Sequence, residues 1–345
     1  MSLNYLLEEY REMPKVKIIG KELVIDEIIY EVVALTLKEK QLEMLILEYD
    51  GEYQDRIRDL EEDEEYTGTR ESNRIIQRNA ILRNKDTILH AIEEVYIDGV
   101  CYKIDGASGT GFRMEDPDKL FLLSKLFEKG YKPKSLGDLD LEHIYMNAIR
   151  LEGEFSKFPE MSKNPEVIIK RGYTADNILV EKPITLEIGK EYTEKFYFDV
   201  EGEKRWLFIN SVEPYDILAR MLEQFKDPRY LEYYTKEQLD KLVKDVTKNI
   251  KQQCPDEKNF VVIEYETEND DGVRFFLKSW LDSEPKRGNK AMFFTAKPDK
   301  DKPFGKLGKR LHIELLAEPF DRDVKSIDTE LFSYFKKREN KDLVF

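Results

Sequence analysis

Histidine and cysteine are the side chains that most often carry protons, attack as nucleophiles or bind metal near neutral pH. The chain has three histidines, His90, His143 and His312, and no two of them lie within four residues of each other. Its two cysteines, Cys101 and Cys254, are far apart as well. Structural zinc sites need such ligands at short, paired spacings. We therefore predict no metal site and interpret these residues as surface or packing side chains.

Glycine-rich loops bind phosphate groups through closely spaced backbone amides. The stretch of this kind in the sequence is Gly106-Ala-Ser-Gly-Thr-Gly111. It lacks the Gly-Lys-Ser or Gly-Lys-Thr ending of a phosphate-binding loop, and its glycines have the wrong spacing for a dinucleotide-binding turn. We interpret it as a flexible connector, and the sequence assigns no cofactor-binding residues.

Lysine can act as a covalent nucleophile when its surroundings lower the pKa of its amine. The segment Lys103-Ile-Asp105-Gly resembles the Lys-x-Asp-Gly element of covalent nucleotidyltransferases, the family of DNA and RNA ligases and capping enzymes. The resemblance implies that Lys103 attacks the α-phosphate of ATP or GTP, with Mg2+ held by carboxylates. It extends, in the order of the family, to Glu152-Gly-Glu154, Phe196-Tyr-Phe198, Asp271-Gly-Val273 and Lys278. The implied catalytic residues are Lys103, Asp105, Glu154 and Lys278.

The sequence departs from this family at two points. Lys278 follows Gly272 closely, whereas the paired lysines of the family lie further downstream, and the arginine expected after the first element is displaced to Arg113. Asp-Gly is also a favoured pair for two-residue hairpin turns, which accounts for Asp105-Gly106 and Asp271-Gly272 without catalysis. Both interpretations stay open, and we favour a protein that is not an enzyme.

Apolar periodicity predicts a helix-rich first part of the chain. An apolar run at residues 28–35 predicts a strand, and Thr36-Leu-Lys-Glu39 after it has the form of a helix capping box. Apolar residues at helical spacing follow as far as Tyr49. Asp98-Gly99 between β-forming residues predicts a hairpin over residues 95–104. Further helices are predicted over residues 116–130 and 140–150.

Beyond residue 177 the pattern changes to short strands with helices among them. Strands are predicted at residues 178–188, 192–200, 204–212, 260–267, 273–280, 291–296 and 311–316, with a hairpin through Asp271-Gly272. Helices are predicted at residues 215–225, 235–252 and 326–337. Glu264 and Glu266 alternate along one strand, and we interpret them as part of a solvated face.

These elements predict an α+β fold. Its N-terminal part is helix-rich with a short hairpin, and a mostly antiparallel or mixed sheet with flanking helices follows. The chain is about twice the length of a typical domain. We predict one domain at residues 1–155 and a second at residues 178–345, with a linker or loop at residues 156–177.

The formal net charge of the 345-residue chain is −15, from 71 acidic and 56 basic side chains. A field of this sign repels nucleic acid and anionic membrane surfaces, so we expect neither as a partner. We predict no signal peptide, and the sequence has no run of the roughly 18 apolar residues that a membrane span needs. Two unpaired cysteines fit a reducing compartment. We expect a cytoplasmic protein.

One loop, from Lys297 to Arg310, is basic within this acidic chain, and we expect it to contact an acidic partner. Residues 16–134 also resemble phage tail or baseplate assembly proteins, through a short strand pair, the strand-to-helix segment Tyr30–Glu39 and the helix start Asp116–Leu123. That resemblance implies a non-catalytic role in a larger complex.

We therefore predict a non-enzymatic protein-binding protein, with an assembly or regulatory role, an origin in a phage or mobile element and no cofactor. The alternative is covalent nucleotidyl transfer through Lys103, with ATP or GTP and Mg2+.

Overall fold

The computed structural model describes residues 2–67, 72–112, 117–228, 234–285 and 302–345. Strand residues make up 45% of the structure and helical residues 27%. The predicted α+β class with a helix-rich N-terminal part is wrong, because the short helix α1 (Leu3–Arg11) is followed directly by strands. The predicted strand at residues 291–296 lies outside the described residues. The chain divides into two compact units, which we describe separately.

Unit 1 comprises Met1–Gly68, Leu82–Thr174 and Arg338–Phe345. Its strands form one sheet and are β1 (Lys15–Ile25), β2 (Ile28–Lys38), β3 (Gln41–Asp50), β4 (Ile92–Ile97), β5 (Val100–Gly111), β6 (Tyr145–Leu151), β7 (Val167–Arg171) and β15 (Leu343–Val344). The order across the eight-stranded sheet is β1-β2-β3-β6-β5-β4-β7-β15, and all neighbours are antiparallel. The segment predicted as a linker or loop, residues 156–177, contains β7.

One face of this sheet is apolar on nearly every strand, and the sheet curls around that face until it is nearly closed. The enclosed cluster includes Val32, Leu35, Met44, Ile46, Val95, Ile97, Ile149, Val167, Ile169 and Leu343. Removing this apolar surface from water stabilises the folded state by about 25 cal/mol per Å2. The residues of this cluster come from strands that are far apart in sequence, so the curled interior joins distant parts of the chain.

Two-residue turns with positive φ at both positions join the hairpins of unit 1. Asp98 and Gly99 have φ values of 48° and 79° and connect β4 to β5, so the predicted hairpin is confirmed. Glu39 and Lys40 have φ values of 49° and 68° and connect β2 to β3 in the same way. The predicted capping box at Thr36 is therefore wrong, and the helix predicted after it is strand β3.

One helix covers the other face of the sheet, and a second follows β3 directly. Helix α4 (Pro117–Glu128) confirms the prediction for residues 116–130, and its Leu123 and Leu126 pack against Val33. Helix α2 (Gly51–Thr67) begins after Asp50, whose carboxylate accepts a hydrogen bond from the Tyr53 amide at 2.9 Å. The helix predicted at residues 140–150 is wrong. A 3₁₀ turn (Leu141–His143) and strand β6, paired on both sides, take its place.

Unit 2 comprises Thr69–Ile81 and Ala175–Lys337. Its strands are β8 (Tyr173–Glu187), β9 (Phe196–Val200), β10 (Glu203–Tyr215), β11 (Lys258–Thr267), β12 (Gly272–Leu277), β13 (His312–Asp321) and β14 (Ser326–Glu339). They form a four-stranded sheet, β13-β11-β10-β9, and a three-stranded sheet, β12-β14-β8. Apolar side chains of both sheets, including Leu207, Ile263, Phe275 and Leu331, belong to one cluster. The two sheets therefore pack face to face.

Among the predictions for unit 2, one helix and one hairpin are wrong and two helices are confirmed. Residues 326–337 form strand β14, not a helix. Asp271-Gly272 closes no hairpin, because β11 pairs with β10 and β13 while β12 pairs with β14. The helices predicted at residues 215–225 and 235–252 are α5 (Ile217–Gln224) and α6 (Lys236–Gln253). The capping box that starts α6 is formed between Thr235 and Gln238.

Helix α3 (Asn73–Leu82) is held within unit 2 by charge-assisted hydrogen bonds. Arg74 donates to both carboxylate oxygens of Glu330, at 2.5 and 2.9 Å, and to Asp282 at 3.0 Å. Arg78 makes a second two-point contact, with both oxygens of Glu181 at 2.6 Å. Because Glu330 is only 3% exposed, loss of the Arg74 guanidinium would leave a buried carboxylate unpaired.

Candidate functional site

The lysine of the nucleotidyltransferase resemblance lies on an exposed part of a strand. The Lys103 side chain is exposed on β5, and the Lys103 carbonyl accepts a hydrogen bond from the Glu152 amide at 2.9 Å. Asp105 and Gly106 form no turn, because β5 continues through them and a register shift marks a β-bulge there. The predicted Asp105-Gly106 turn and the predicted flexible connector after it are both wrong.

The other residues implied by that resemblance have partners of their own or lie in unit 2. Asp105 Oδ2 is 3.8 Å from Arg150 Nη1. Glu154 Oε2 is 2.9 Å from Lys40 Nζ, and this pair is largely exposed. Lys278 begins helix α7 (Lys278–Leu281) in unit 2, whereas Lys103 belongs to unit 1. Among the described residues, no hydrogen bond or ion pair joins Lys103 to either of these carboxylates.

The basic loop singled out in the sequence is described from residue 302 onward. We call residues 302–311 the anchored loop, because one buried carboxylate holds its backbone. Glu266 of β11 accepts hydrogen bonds from the backbone amides of Leu307, at 3.0 Å, and Lys309, at 2.8 Å. Its third donor is the side-chain amide of Asn210 on β10, at 2.9 Å, and the Asn210 oxygen accepts from the Lys306 amide at 2.8 Å. Two strands of the sheet therefore hold three backbone amides of the loop.

The anchoring carboxylate is completely buried. Glu266 has 0% of its surface exposed, and a buried charge is tolerated only when hydrogen bonds replace its lost hydration. Gly305 passes so close to it that a Cβ atom there would lie 2.4 Å from the carboxylate. Only glycine fits at this position. The Gly305 amide also donates to the Lys309 carbonyl at 2.9 Å, which closes the loop on itself.

The outer side of the anchored loop presents apolar and basic side chains to solvent. Phe304 is 66% exposed and Leu307 is 42% exposed. No residue of the loop is acidic, and its exposed basic residues are Lys302, Lys306, Lys309 and Arg310. Lys306 Nζ is 3.4 Å from a Glu191 oxygen, and Arg310 Nη1 is 3.6 Å from an Asp270 oxygen. Exposed pairs of this kind are weak, so the loop keeps its capacity to bind an acidic group.

The sequence did not identify the anchoring residue. The interpretation of Glu264 and Glu266 as a solvated strand face is wrong for Glu266, which lies beneath the anchored loop. Tyr265 and Thr267 on either side of it are buried as well, at 3% and 1% exposure. The signal that could have identified Glu266 is a glutamate in a strand whose neighbouring side chains are buried on both faces. Its backbone donors lie about forty residues later and Asn210 lies earlier in the chain, so no local pattern links them.

The part of the chain that the structure describes contains neither a metal-binding cluster nor a membrane-spanning helix. Within it, no three His, Cys, Asp or Glu side chains are grouped so that they could hold a metal ion. None of its helices is both long enough and apolar enough to cross a membrane. Comparisons of the chain with protein families, with curated proteins and with solved structures find no match.

Proposed function

We propose that the chain is a non-enzymatic protein-binding protein with an assembly or regulatory role, and that the anchored loop binds an acidic segment of another protein. The observation that carries the proposal is the exposure of Phe304 and Leu307 on a basic loop whose backbone is fixed by Glu266. An origin in a phage or mobile element and a cytoplasmic location belong to the same proposal. The free thiols of Cys101 and Cys254 support a reducing compartment.

A fixed backbone favours binding because less conformational entropy is lost when the partner arrives. Hydrogen bonds to Glu266 and Asn210 already order the anchored loop in the free protein. Exposed Phe304 then offers an aromatic anchor, the type of side chain that is enriched at interfaces and in binding hot spots. Covering it removes apolar surface from water without a prior folding step.

The charge of the anchored loop is opposite to that of the whole chain. The formal net charge of −15 disfavours the approach of an acidic partner, whereas the basic residues of the loop attract it. Complementary charge raises the association rate and selects the partner, and both effects weaken with added salt. We therefore expect the partner segment to combine acidic residues with an apolar side chain that meets Phe304.

Reversing the charge of the loop tests this proposal. The variant K306E/K309E/R310E is compared with wild type in crosslinking pull-downs from extract of the source cells, with quantitative mass spectrometry. The matched control is K236E/K241E/K244E, which makes the same change of charge on the exposed face of α6. We expect at least one acidic protein to be captured by wild type and the control, and lost with the loop variant and at high salt. Equal capture by all three proteins contradicts the proposal.

An intact-mass measurement tests the enzymatic alternative. The protein is incubated with ATP or GTP and Mg2+, beside a Lys103→Ala control. We expect no change in mass, because the exposed Lys103 has no carboxylate paired with it among the described residues. A gain of one nucleoside monophosphate that is absent from Lys103→Ala would contradict the non-enzymatic function.

A further inference from the structure

The curled interior of unit 1 is apolar along most of its length and polar at one end. This end is formed by Glu48 near the end of β3, Tyr145 and Asn147 on β6, Tyr53 in α2, and Lys85 between α3 and β4. Glu48 and Asn147 are 0% exposed and Lys85 is 7% exposed. Charged side chains are almost never this deeply buried unless they are paired. The cluster therefore needs a specific explanation.

The Lys85 ammonium is surrounded by groups that recognise alkylammonium ions. Its Nζ atom lies 4.0 Å from the ring centre of Tyr145, 5.5 Å from that of Tyr53 and 3.6 Å from Glu48 Oε1. The two rings meet edge to face, with centroids 6.2 Å apart. Aromatic rings close to a cation attract it through their π-electrons, which is how aromatic cages bind ammonium ligands. We call Glu48, Tyr53, Tyr145 and Asn147 the ammonium cage.

Lys85 fills the ammonium cage without completing its hydrogen bonds. The 3.6 Å between Nζ and Glu48 Oε1 is longer than an N–H···O hydrogen bond. Within the described part of the chain, Lys85 Nζ, Glu48 Oε1 and Asn147 Oδ1 are all buried without a hydrogen-bond partner. The Asn147 amide group does donate to Glu48 Oε2, at 2.8 Å, which fixes the carboxylate. Most buried polar atoms in proteins are hydrogen-bonded, so three atoms without a hydrogen-bond partner in one cluster point to a ligand site.

Burial and the attraction between Lys85 and Glu48 shift the pKa values of these two groups in opposite directions. Burial lowers the pKa of Lys85, and attraction to Glu48 opposes this shift. Burial also raises the pKa of Glu48, and Lys85 opposes that shift in turn. Removing either partner from a buried pair is strongly destabilising, because the other charge is left without compensation. Burial is the larger effect for both groups, so the pKa of Lys85 is lowered and that of Glu48 is raised overall. When Glu48 is ionised, its charge is compensated by the amine opposite it, from Lys85 or from another source.

We infer that the ammonium cage is a binding site for one alkylammonium group, which Lys85 occupies from within the chain. An external amine binds in place of Lys85, so Lys85 is an internal competitor. Gly109 on β5 keeps the cage in shape, because a Cβ atom there would lie 2.4 Å from Asn147 Oδ1. The site belongs to unit 1 alone, and it does not depend on the anchored loop of unit 2.

Chemical rescue of a Lys85→Ala variant tests the site. Propylammonium replaces the atoms that this substitution removes, and 1-propanol is its uncharged counterpart. We expect propylammonium to raise the melting temperature of Lys85→Ala saturably, and 1-propanol to have little effect. Adding Glu48→Gln should weaken propylammonium binding about tenfold or more, because the charge-assisted contact is lost. Equal effects of the two probes, or an equal effect of propylammonium on the exposed-lysine control Lys40→Ala, would overturn the inference.

Two further arms identify the source of the amine and guard against a variant that does not fold. If Nα-acetyl-lysine amide rescues Lys85→Ala as propylammonium does, the cage accepts a lysine side chain of a polypeptide. Rescue by propylammonium alone restricts the ligand to small amines, and both results support the site. In wild type, the Lys85 ammonium should give a ring-current-shifted NMR signal with slow proton exchange, because it lies over Tyr145. A signal like that of surface lysines would refute the cage.

Discussion

Glu266→Gln is the substitution with the most direct consequence for the anchored loop. The carboxylate accepts from Leu307, Lys309 and Asn210, and both of its oxygens are used. Glutamine has the same shape as glutamate, but an NH2 donor replaces one of the carboxylate oxygens and then faces another N–H group. Hydrogen bonds to a charged acceptor contribute about 1 kcal/mol more than those to a neutral one, so losing the charge and one acceptor costs roughly 3 kcal/mol.

Hydrogen exchange measures this loss where it occurs. A cost of about 3 kcal/mol corresponds to roughly 100-fold faster local opening, so the amides of Leu307 and Lys309 should exchange about 100-fold faster in Glu266→Gln. Glu264→Gln is the matched control on the same strand, because Glu264 accepts a single hydrogen bond, from Ser211 Oγ at 2.8 Å. The control should leave these two amides unchanged. Equal exchange in the two variants would show that Glu266 does not hold the loop.

Three further predictions concern the remaining charges and close contacts. Burial raises the pKa of Glu314 to about 7, against the opposing effect of Arg274. The folded state therefore keeps a proton that the unfolded chain loses near pH 4.5, so the unfolding free energy of wild type relative to Glu314→Gln should fall by about 3 kcal/mol between pH 4.5 and 8 in chemical denaturation. Gly109→Ala should lower the unfolding free energy by about 1–3 kcal/mol, because its Cβ meets a buried side chain at 2.4 Å, whereas Gly111→Ala has nothing within 4 Å and should be close to neutral. Arg74→Lys cannot keep the two-point contact that fixes α3, so exchange of the α3 amides should rise, and an unchanged rate would contradict that role.

Elements with local signals were predictable, whereas strand β14, which is buried on both faces, was predicted as a helix. Thr235 and Pro117 mark the starts of α6 and α4, and the helices follow where the sequence indicates. Strand β14 lies between two other strands, and Leu331 and Phe332, on opposite faces, are both 0% exposed. Period-2 alternation, the pattern by which a strand is recognised, is absent when both faces are apolar. The helical interpretation of residues 326–337 arose from that ambiguity.

The candidate sites depend on contacts between distant parts of the chain. The ammonium cage joins β3, β6 and the segment that carries Lys85, and the anchored loop joins residues 302–311 to Glu266 and Asn210. Neither arrangement leaves a short motif in the sequence. The basic composition of the loop was visible, whereas the carboxylate that fixes it was not. The turn at Glu39 and Lys40 shows the same limit on a smaller scale. The sequence from Thr36 has the form of a helix capping box, but β2 and β3 pair as a hairpin through this turn, where φ is 49° and 68°.

The pairing of β7 with β15 has a consequence for the time course of folding. Ile169 pairs with Leu343, and the residues of unit 2 from 175 to 337 lie between them in the chain. During synthesis, the edge strand β15 becomes available only after those residues have been made. Closing a contact of such long sequence separation is slow, because the loop-closure entropy is lost before the contact forms. Until then, β7 has an unpaired edge, and this interval is when the nascent chain is most exposed to strand-mediated aggregation.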